Sequence, residues 1–176
     1  VRLTLHGPAG EENITTRLLV AADGSHSAVR RHFGIEGRLR DYQQVAIVAN
    51  VDVGQPEPGT AYERFTTEGP TALLPLAGSR HVVVRTARAA DAGELAAADD
   101  AHFLADLQRR FGWRLGQFSN PGERRTHPLV LNRASRLTAP RTVLVGNAAN
   151  TIHPNAAQGL NLALRDVATL LDCLEA

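Results

Sequence analysis

The sequence predicts a mixed α/β fold from two kinds of hydrophobic pattern. Short apolar runs at Arg17–Ala22 and Arg141–Val145 each stop at a glycine-containing turn and precede a helical pattern, as buried strands of α/β units do. Between them, apolar side chains alternate with other residues along Val45–Val53, which is typical of a strand with one buried face. We therefore expect strand–helix units near the two ends and an antiparallel sheet in the middle.

The middle of the chain contains the clearest strand signals. The buried face of its first strand consists of Val45, Ile47, Ala49, Val51 and Val53. Further strands are expected at Ala61–Thr67, Thr71–Leu76 and Arg80–Thr86, because Gly-Pro and Gly-Ser turns separate them. A weaker strand, Arg124–Leu131, contains Pro128, which favours an edge position.

Capping residues and helical spacing predict three helices. Ser27 can cap a short helix that Gly34 ends, and Asp99 or Asp100 can cap a second helix that Gly112 ends. The apolar side of the second helix consists of Phe103, Leu104, Leu107 and Phe111. The last helix has one apolar face, formed by Leu160, Ala163, Leu164, Val167, Leu171 and Leu174.

Composition excludes several classes of function. The chain has 176 residues, of which 43% are hydrophobic, enough for one domain with a buried core. Its formal net charge of +1 argues against nucleic-acid binding through bulk charge, and Arg109-Arg110 and Arg124-Arg125 are expected on solvated faces rather than at anionic lipid. The single cysteine, Cys173, favours a small core side chain and a cytoplasmic location, and no histidine has the spacing of a metal site.

One segment, Val143–Ala168, has the composition of a loop that binds an anion. Gly146 and Gly159 allow a ligand to approach the backbone closely, and the N–H groups at a helix start attract negative charge. Asn147 can hydrogen-bond a hydroxyl such as that of a ribose. An ordinary buried strand–loop–helix explains the same residues, so the residues alone leave both interpretations open.

The same segment resembles the second FAD-binding motif of the flavoprotein aromatic hydroxylases. Its Gly-Asn-Ala-Ala, Thr-Ile-His-Pro and Gln-Gly-Leu-Asn-Leu-Ala-Leu-Arg-Asp-Val runs are most similar to the ubiquinone-biosynthesis branch, of the 2-octaprenyl-6-methoxyphenol hydroxylase kind. Upstream, Leu18–Arg30 resembles the Asp-Gly motif of the family, with Asp23, Gly24, Ser27 and Arg30 in place. Softer matches to the middle domain of that branch lie at Tyr42–Asn50, Glu63–Phe65 and Gly69–Pro75.

The resemblance implies cofactor-binding roles for residues of both motifs. Asp23 and Gly24 would lie beside the flavin pyrophosphate and the path of the nicotinamide nucleotide, with Arg30 helping to hold the turn that contains Ser27. The residues that would meet the ribitol or pyrophosphate are Gly146 and Asn147, and those that would face the isoalloxazine ring are Pro154, Gly159, Leu160 and Asn161. The resemblance assigns no catalytic acid or base, and His153 is expected to be structural rather than a proton donor.

Three departures from the family pattern stand out. Asn147 replaces the usual Asp, although the ubiquinone branch often carries Asn there. Ala157 stands where Gly is common, and Asn155 stands where an apolar residue is usual, which affects details of the flavin contact. The Gly-x-Gly-x-x-Gly fingerprint that holds the ADP part of FAD is not found, so we expect these residues to be a piece of a longer protein.

The resemblance also implies an architecture and a reaction. Residues 1–41 and 132–176 would form part of an FAD-binding parallel-sheet domain, without its N-terminal dinucleotide-binding βαβ unit, and residues 42–131 an antiparallel substrate domain. FAD would be reduced by NAD(P)H and would use O₂ to hydroxylate a phenolic ring, such as a ubiquinone precursor. A prenylated substrate would require peripheral contact with the inner membrane, and other ubiquinone-pathway proteins are possible partners.

Three alternatives to that function stay open at the level of sequence. The protein could hydroxylate another aromatic compound, although Glu63–Phe65 and Asn147 favour the ubiquinone branch. It could be a flavin-free binding or scaffold module, which the missing glycine fingerprint would favour. It could also be a flavin-dependent oxidase or a relative of the halogenases.

Overall fold

The computed structural model describes residues 1–154 and 158–175, so the predictions about Asn155 and Ala157 lie outside the described residues. The chain forms two compact units, one made of Val1–Arg40 with Val130–Ala176 and the other of Asp41–Leu129. It passes between them within two strands, β4 (Gly37–Val53) and β9 (Arg125–Ala134). The predicted α/β class is confirmed, whereas the assignment of flavin to the first unit and substrate to the second stays a prediction.

The described residues of the first unit form a hairpin, a small mixed sheet and three helical elements. Its strands are β1 (Arg2–Gly7), β2 (Gly10–Thr15), β3 (Leu19–Ala21), β10 (Thr138–Ala139), β11 (Thr142–Leu144) and β12 (Asn150–Thr151). Its helical elements are α1 (Ala28–His32), a 3-10 turn at Gly146–Ala148 and α4 (Gln158–Glu175). Strand β11 lies between β10 and β3, antiparallel to β10 and parallel to β3, and β12 pairs with Asn132 and Arg133 of β9.

A small cluster of apolar side chains holds the first unit together. Ala21, Leu144 and Ala149 are buried against Val29 and Phe33, which lie on or next to α1. The expected burial of the whole Arg17–Ala22 run is wrong, because β3 is an edge strand and α1 covers one face of it. Val20 points to the other face and is 44% exposed.

The second unit is an antiparallel sheet with two helices. Its remaining elements are β5 (Tyr62–Arg64), β6 (Thr71–Pro75), β7 (Arg80–Arg88), β8 (Phe118–Ser119), α2 (Ala92–Ala97) and α3 (Asp100–Phe111). The strand order is β9-β4-β7-β6-β5, with β8 also pairing with β4. The antiparallel sheet expected from the alternating pattern is confirmed, although β4 begins at Gly37, eight residues before the alternation is clear.

The alternating face of β4 forms the core of the second unit. All five predicted side chains, Val45, Ile47, Ala49, Val51 and Val53, are buried. Phe103, Leu107 and Phe111 of α3 pack on that face together with Leu73 and Val83, while Leu104 is half-buried at its border. The Asp99 side chain caps α3 by accepting a hydrogen bond from the His102 N–H at 2.8 Å, as predicted.

Helix α4 spans the predicted apolar positions but does not bury the predicted face. Leu160, Leu164 and Leu174 are each at least 60% exposed, and the prediction that Cys173 is a core residue is wrong because its side chain is exposed as well. The helix packs on the 3-10 turn through a narrower face that includes Ala163 and Asp166. None of the described helices is both long enough and apolar enough to cross a bilayer.

The prediction that four arginines lie on solvated faces is wrong for two of them. Arg109 and Arg125 are exposed, but Arg110 is buried beside Asp106 and Glu68. The Arg124 guanidinium donates to the carbonyl oxygens of Ala96 at 3.1 Å and Ala98 at 2.7 Å. Both arginines are withdrawn from solvent because acceptors that are remote in sequence lie within their reach.

We expect Leu107→Ala to lower the free energy of unfolding by about 2–5 kcal/mol, since Leu107 is 1% exposed and its removal leaves a cavity in the core. Leu104→Ala, on the same helix but half-buried, is the matched control and should cost clearly less. Urea unfolding monitored by circular dichroism measures both. Equal losses for the two variants would contradict the described packing of α3.

Candidate functional site

The parallel pairing of β3 and β11 brings the two sequence motifs to the same edge of a sheet. Leu19, Val20 and Ala21 pair with Thr142, Val143 and Leu144, and the Val145 N–H donates to the Ala21 carbonyl at 3.0 Å. The chain then leaves β3 at Asp23-Gly24 and β11 at Gly146-Asn147. Ligands of open α/β sheets bind at the carboxyl ends of parallel strands, so this edge is the candidate site.

Asp23 and Ser27 hold the first turn against the start of α1. The Asp23 carboxylate accepts from the Val29 N–H at 3.1 Å, and Ser27 Oγ, which is fully buried, accepts from the Arg30 N–H at 2.9 Å. Burial raises the pKa of Asp23, but hydrogen bonds from the Ser27 hydroxyl and from the N–H groups of Val29 and Ala28 outweigh it and lower the pKa below its ordinary value. Asp23 is therefore an ionised turn residue, and its carboxylate accepts a hydrogen bond from an N–H group at the start of α1.

Arg30 connects the two motifs directly. Its guanidinium is buried and donates to the carbonyl oxygen of Ser25 at 2.7 Å and to that of Ala148 at 2.7 Å. Ser25 belongs to the first turn, whereas Ala148 follows Gly146-Asn147, 118 residues away from Arg30 in the sequence. The arrangement fixes both turns to one rigid group, because a guanidinium is planar and its donors have a fixed geometry.

Asp166 of α4 fixes the second turn from the other side. Its carboxylate accepts from the Gly146 N–H at 3.0 Å. Gly146 has a φ of +58°, which favours glycine, and a Cβ added there would lie 3.5 Å from Ala163 Cβ. Because its N–H is already bonded to Asp166, Gly146 offers a ligand close approach rather than a hydrogen-bond donor.

The two turns and the start of α4 enclose a cleft of about 490 Å³. Three glycines line it, Gly24, Gly146 and Gly159, together with the exposed amide of Asn147. Leu160 and Val167 of α4 supply an apolar side to the same cleft. Gly24 has a φ of +81°, and added Cβ atoms at Gly24 and Gly159 would meet no atom within 4 Å, so the space beside these backbones is open.

The structure thus brings some predicted site residues together and leaves others apart. Gly24, Gly146, Asn147, Gly159 and Leu160 line one cleft. The remaining predicted residues are absent from the described lining of the cleft, and they are Asp23, Ser27, Arg30, Pro154 and Asn161. Asp23, Ser27 and Arg30 shape the turns behind the cleft, while Pro154 and Asn161 are exposed.

Two features of the site were missed by sequence reasoning. Asp166 lies in the matched Arg-Asp-Val run, but nothing local distinguishes it from an exposed helix residue. The acceptor of the Arg30 guanidinium is a backbone carbonyl in the other motif, which no pattern of side chains can indicate. The sequence does contain a signal for the site, which is the two short apolar runs that are each followed by a glycine turn.

We expect Arg30→Met to lower the free energy of unfolding by about 2–4 kcal/mol, because two carbonyl oxygens lose a charged donor and that of Ala148 lies in the interior. Arg31→Met is the matched control, since Arg31 lies next on the same helix and donates to the His26 carbonyl at an exposed position. The control should change the free energy by less than about 0.5 kcal/mol in the same urea titration. A loss no larger for Arg30→Met than for the control would refute the role of Arg30 as a connector.

Comparison with known proteins identifies the family. The whole chain, residues 1–176, matches the sequence model of a family described as FAD binding domain. The ubiquinone hydroxylase UbiL of Rhodospirillum rubrum is 42% identical over 165 residues, which cover 94% of this chain and 38% of that protein. The 3-demethoxyubiquinol 3-hydroxylase of Escherichia coli is 34% identical over 94% of this chain and 42% of its own length. The chain therefore spans about two-fifths of the length of these relatives.

A solved structure shows that the fold extends beyond hydroxylases. The flavin-dependent halogenase CmlS matches 93% of this chain and 31% of its own, with a TM-score of 0.75 and 20% identity. At that identity the likeness concerns the fold alone. The resemblance to the ubiquinone-biosynthesis branch is confirmed by the relatives, and the match over its full length shows that the chain belongs to the FAD-binding domain family.

Proposed function

We propose that this chain is part of an FAD-dependent monooxygenase that hydroxylates a phenolic ring. The observation that carries the proposal is the convergence of both motifs on one cleft, lined by Gly24, Gly146 and Gly159. Gly24 and Gly159 leave open space where a side chain would stand, and the start of a long helix lies at the same cleft. These features fit a large anionic cofactor with a planar ring.

The described residues bind and orient that cofactor. Gly24 and Asn147 would lie along its pyrophosphate or ribitol, and the first turn of α4, at Gly159 and Leu160, would face its ring. The N–H groups in the first turn of a helix have no partner within the helix, so they would stabilise negative charge on the reduced ring. Arg30 and Asp166 would keep the two turns at a fixed distance, so that the cofactor does not have to order them on binding.

FAD, when bound and reduced by NAD(P)H, would supply the activated oxygen for the hydroxylation. The described residues contribute position and shielding to that chemistry, and the structure assigns none of them as a catalytic acid or base. We expect His153, which is half-buried, to be structural rather than a proton donor.

We propose a phenol related to ubiquinone precursors as the substrate, because two relatives, at 42% and 34% identity, are named as hydroxylases of ubiquinone and of demethoxyubiquinol. In the second unit, the sheet face opposite α3 carries half-exposed apolar side chains. They are Val48, Ala72, Leu74, Val82 and Val84. Paired positions place Val84 beside both Val48 and Ala72, and Val82 beside Leu74, so the face is continuous. Such a surface suits an aromatic ring with an apolar substituent.

A prenylated substrate would bring this protein to a lipid surface. We therefore propose a cytoplasmic protein with peripheral contact at the inner membrane, either directly or through other proteins of the same pathway. Copurification of the protein with washed membranes, reversed by high salt, would support this location.

The reaction is tested with the whole reading frame that contains these residues, purified and supplied with FAD. We expect NAD(P)H to be consumed in the presence of a prenylated phenol, and the product to gain one oxygen atom from isotopically labelled O₂, read by mass spectrometry. The unprenylated phenol is the matched substrate and should react more slowly, because it buries less apolar surface. Halogen incorporation, hydrogen peroxide without any product, or a protein that binds no flavin would each contradict the proposal.

The location of FAD is tested by two glycine variants. Gly24→Leu places a side chain in the cleft at a positive φ, and we expect FAD affinity to fall by at least about tenfold. Gly78→Leu is the matched control, since Gly78 also has a positive φ and open space around it, but lies in the turn between β6 and β7. FAD affinity is measured by quenching of flavin fluorescence. Equal affinity losses in the two variants would show that FAD does not bind at this cleft.

A further inference from the structure

The second unit contains a buried arginine with an unsatisfied donor. Arg85 lies on β7, on the same face of the sheet as Val83 and Ala87, and is 3% exposed. Its Nε has no hydrogen-bond partner among the described residues. Burial lowers the pKa of Arg85, which means that the surroundings disfavour its charge. A charged donor buried without an acceptor is costly, so this nitrogen indicates a missing acceptor.

The ion pairs around Arg85 leave one positive charge in excess. Asp106 is shared by three arginines, since its carboxylate lies beside Arg85, 2.6 Å from Arg109 Nη2 and 3.0 Å from Arg110 Nε. Arg110 also pairs with Glu68, and Arg88 pairs with Asp91 at 2.7 Å. The cluster therefore holds three carboxylates, Glu68, Asp91 and Asp106, and four guanidinium groups, of which that of Arg109 is exposed. One additional negative charge would neutralise it.

A cavity of about 530 Å³ adjoins this cluster. Its charged lining consists of three arginines, Arg85, Arg88 and Arg110, and two carboxylates, Glu68 and Asp91; Thr66 and Thr67 also line it. All of these residues belong to the unit Asp41–Leu129. The Thr66 hydroxyl donates to the Gly69 carbonyl at 2.8 Å and accepts from the Glu68 N–H at 3.2 Å, which fixes the turn that forms one wall.

A second cavity also adjoins Arg85, but the charged residues that line it are mostly carboxylates. It has a volume of about 520 Å³ and is lined by Glu94, Asp99 and Asp106, with no arginine besides Arg85 in its described lining. Three carboxylates against one arginine would repel an anion there, whereas the first cavity has three arginines against two carboxylates. The cavity with three arginines is therefore where an acceptor for Arg85 belongs.

We propose that the cavity lined by Arg85, Arg88 and Arg110 binds an oxyanion, the carboxylate or phosphate group of a small molecule, as acceptor for the buried Arg85 guanidinium. Arginine is suited to this task because its planar fork matches the two oxygens of a carboxylate or phosphate. The ligand would also supply the negative charge that the cluster lacks. The site is distinct from the flavin cleft, because every residue that lines it lies in the other unit.

The test uses the full reading frame and observes Arg85 Nε directly. In a spectrum that correlates ¹⁵N with its proton, the Arg85 Nε–H signal is the one absent from Arg85→Lys, a variant that keeps the charge but lacks Nε. Inorganic phosphate and sodium acetate are titrated separately, with sodium chloride at matched ionic strength as the control. We expect the signal to shift and saturate with phosphate, acetate or both, and not with chloride.

Variants separate this site from other anion sites. Calorimetric titration of the same anions should show at least about tenfold weaker binding to Arg85→Lys. Arg109→Lys is the matched control, because Arg109 shares Asp106 but is exposed and does not line the cavity; its affinity should equal that of the wild type. If Arg85→Lys does not fold, Arg88→Gln replaces it, since Arg88 lines the cavity with a side chain that is 78% exposed.

The outcomes decide both the site and its ligand. If the signal saturates with phosphate alone, the ligand carries a phosphoryl group, and if it saturates with acetate alone, the ligand carries a carboxylate. Saturation with both anions indicates a general oxyanion site. An Arg85 signal that does not saturate with either anion, or binding that is as tight in Arg85→Lys as in the wild type, would overturn the proposal.

Discussion

The candidate site depends on the parallel pairing of two three-residue strands, β3 and β11. Within the described part of the chain, this pairing places residues near Asp23 and residues near Asn147 at the same sheet edge. So short a ladder supplies few hydrogen bonds, and a parallel pair closes a long loop at an entropic cost. The Arg30 guanidinium and the Asp166 carboxylate add the contacts that keep the two turns together.

Local features of the fold could be predicted because their causes are local. Ser27 and Asp99 cap their helices through their own side chains, and the alternation along Val45–Val53 matches the buried face of β4. Strand β2 could not be predicted in the same way, since every residue of Gly10–Thr15 is exposed and no apolar alternation marks it. Its structure comes from pairing with β1, residue for residue.

The wrong predictions share a physical reason, which is that burial depends on partners remote in sequence. Cys173 and Leu174 lie in a strongly amphipathic helix, but α4 contacts its unit through its first turns and through Asp166. The sequence predicts Arg110 and Arg124 as surface charges, but each lies within hydrogen-bonding distance of an acceptor from another part of the fold. For the candidate site, the glycines and Asn147 were identified by their motifs, whereas the Arg30–Ala148 contact required the three-dimensional structure.

We propose that the two turns joined by Arg30 and Asp166 form the wall of the cleft that binds flavin. A crystal structure of the whole protein with FAD bound would show whether this is so. We expect flavin density beside Gly24, Gly146 and Gly159, with Arg30 within hydrogen-bonding distance of the Ser25 and Ala148 carbonyl oxygens. Flavin bound away from these glycines, or an Arg30 guanidinium that contacts neither carbonyl, would contradict it.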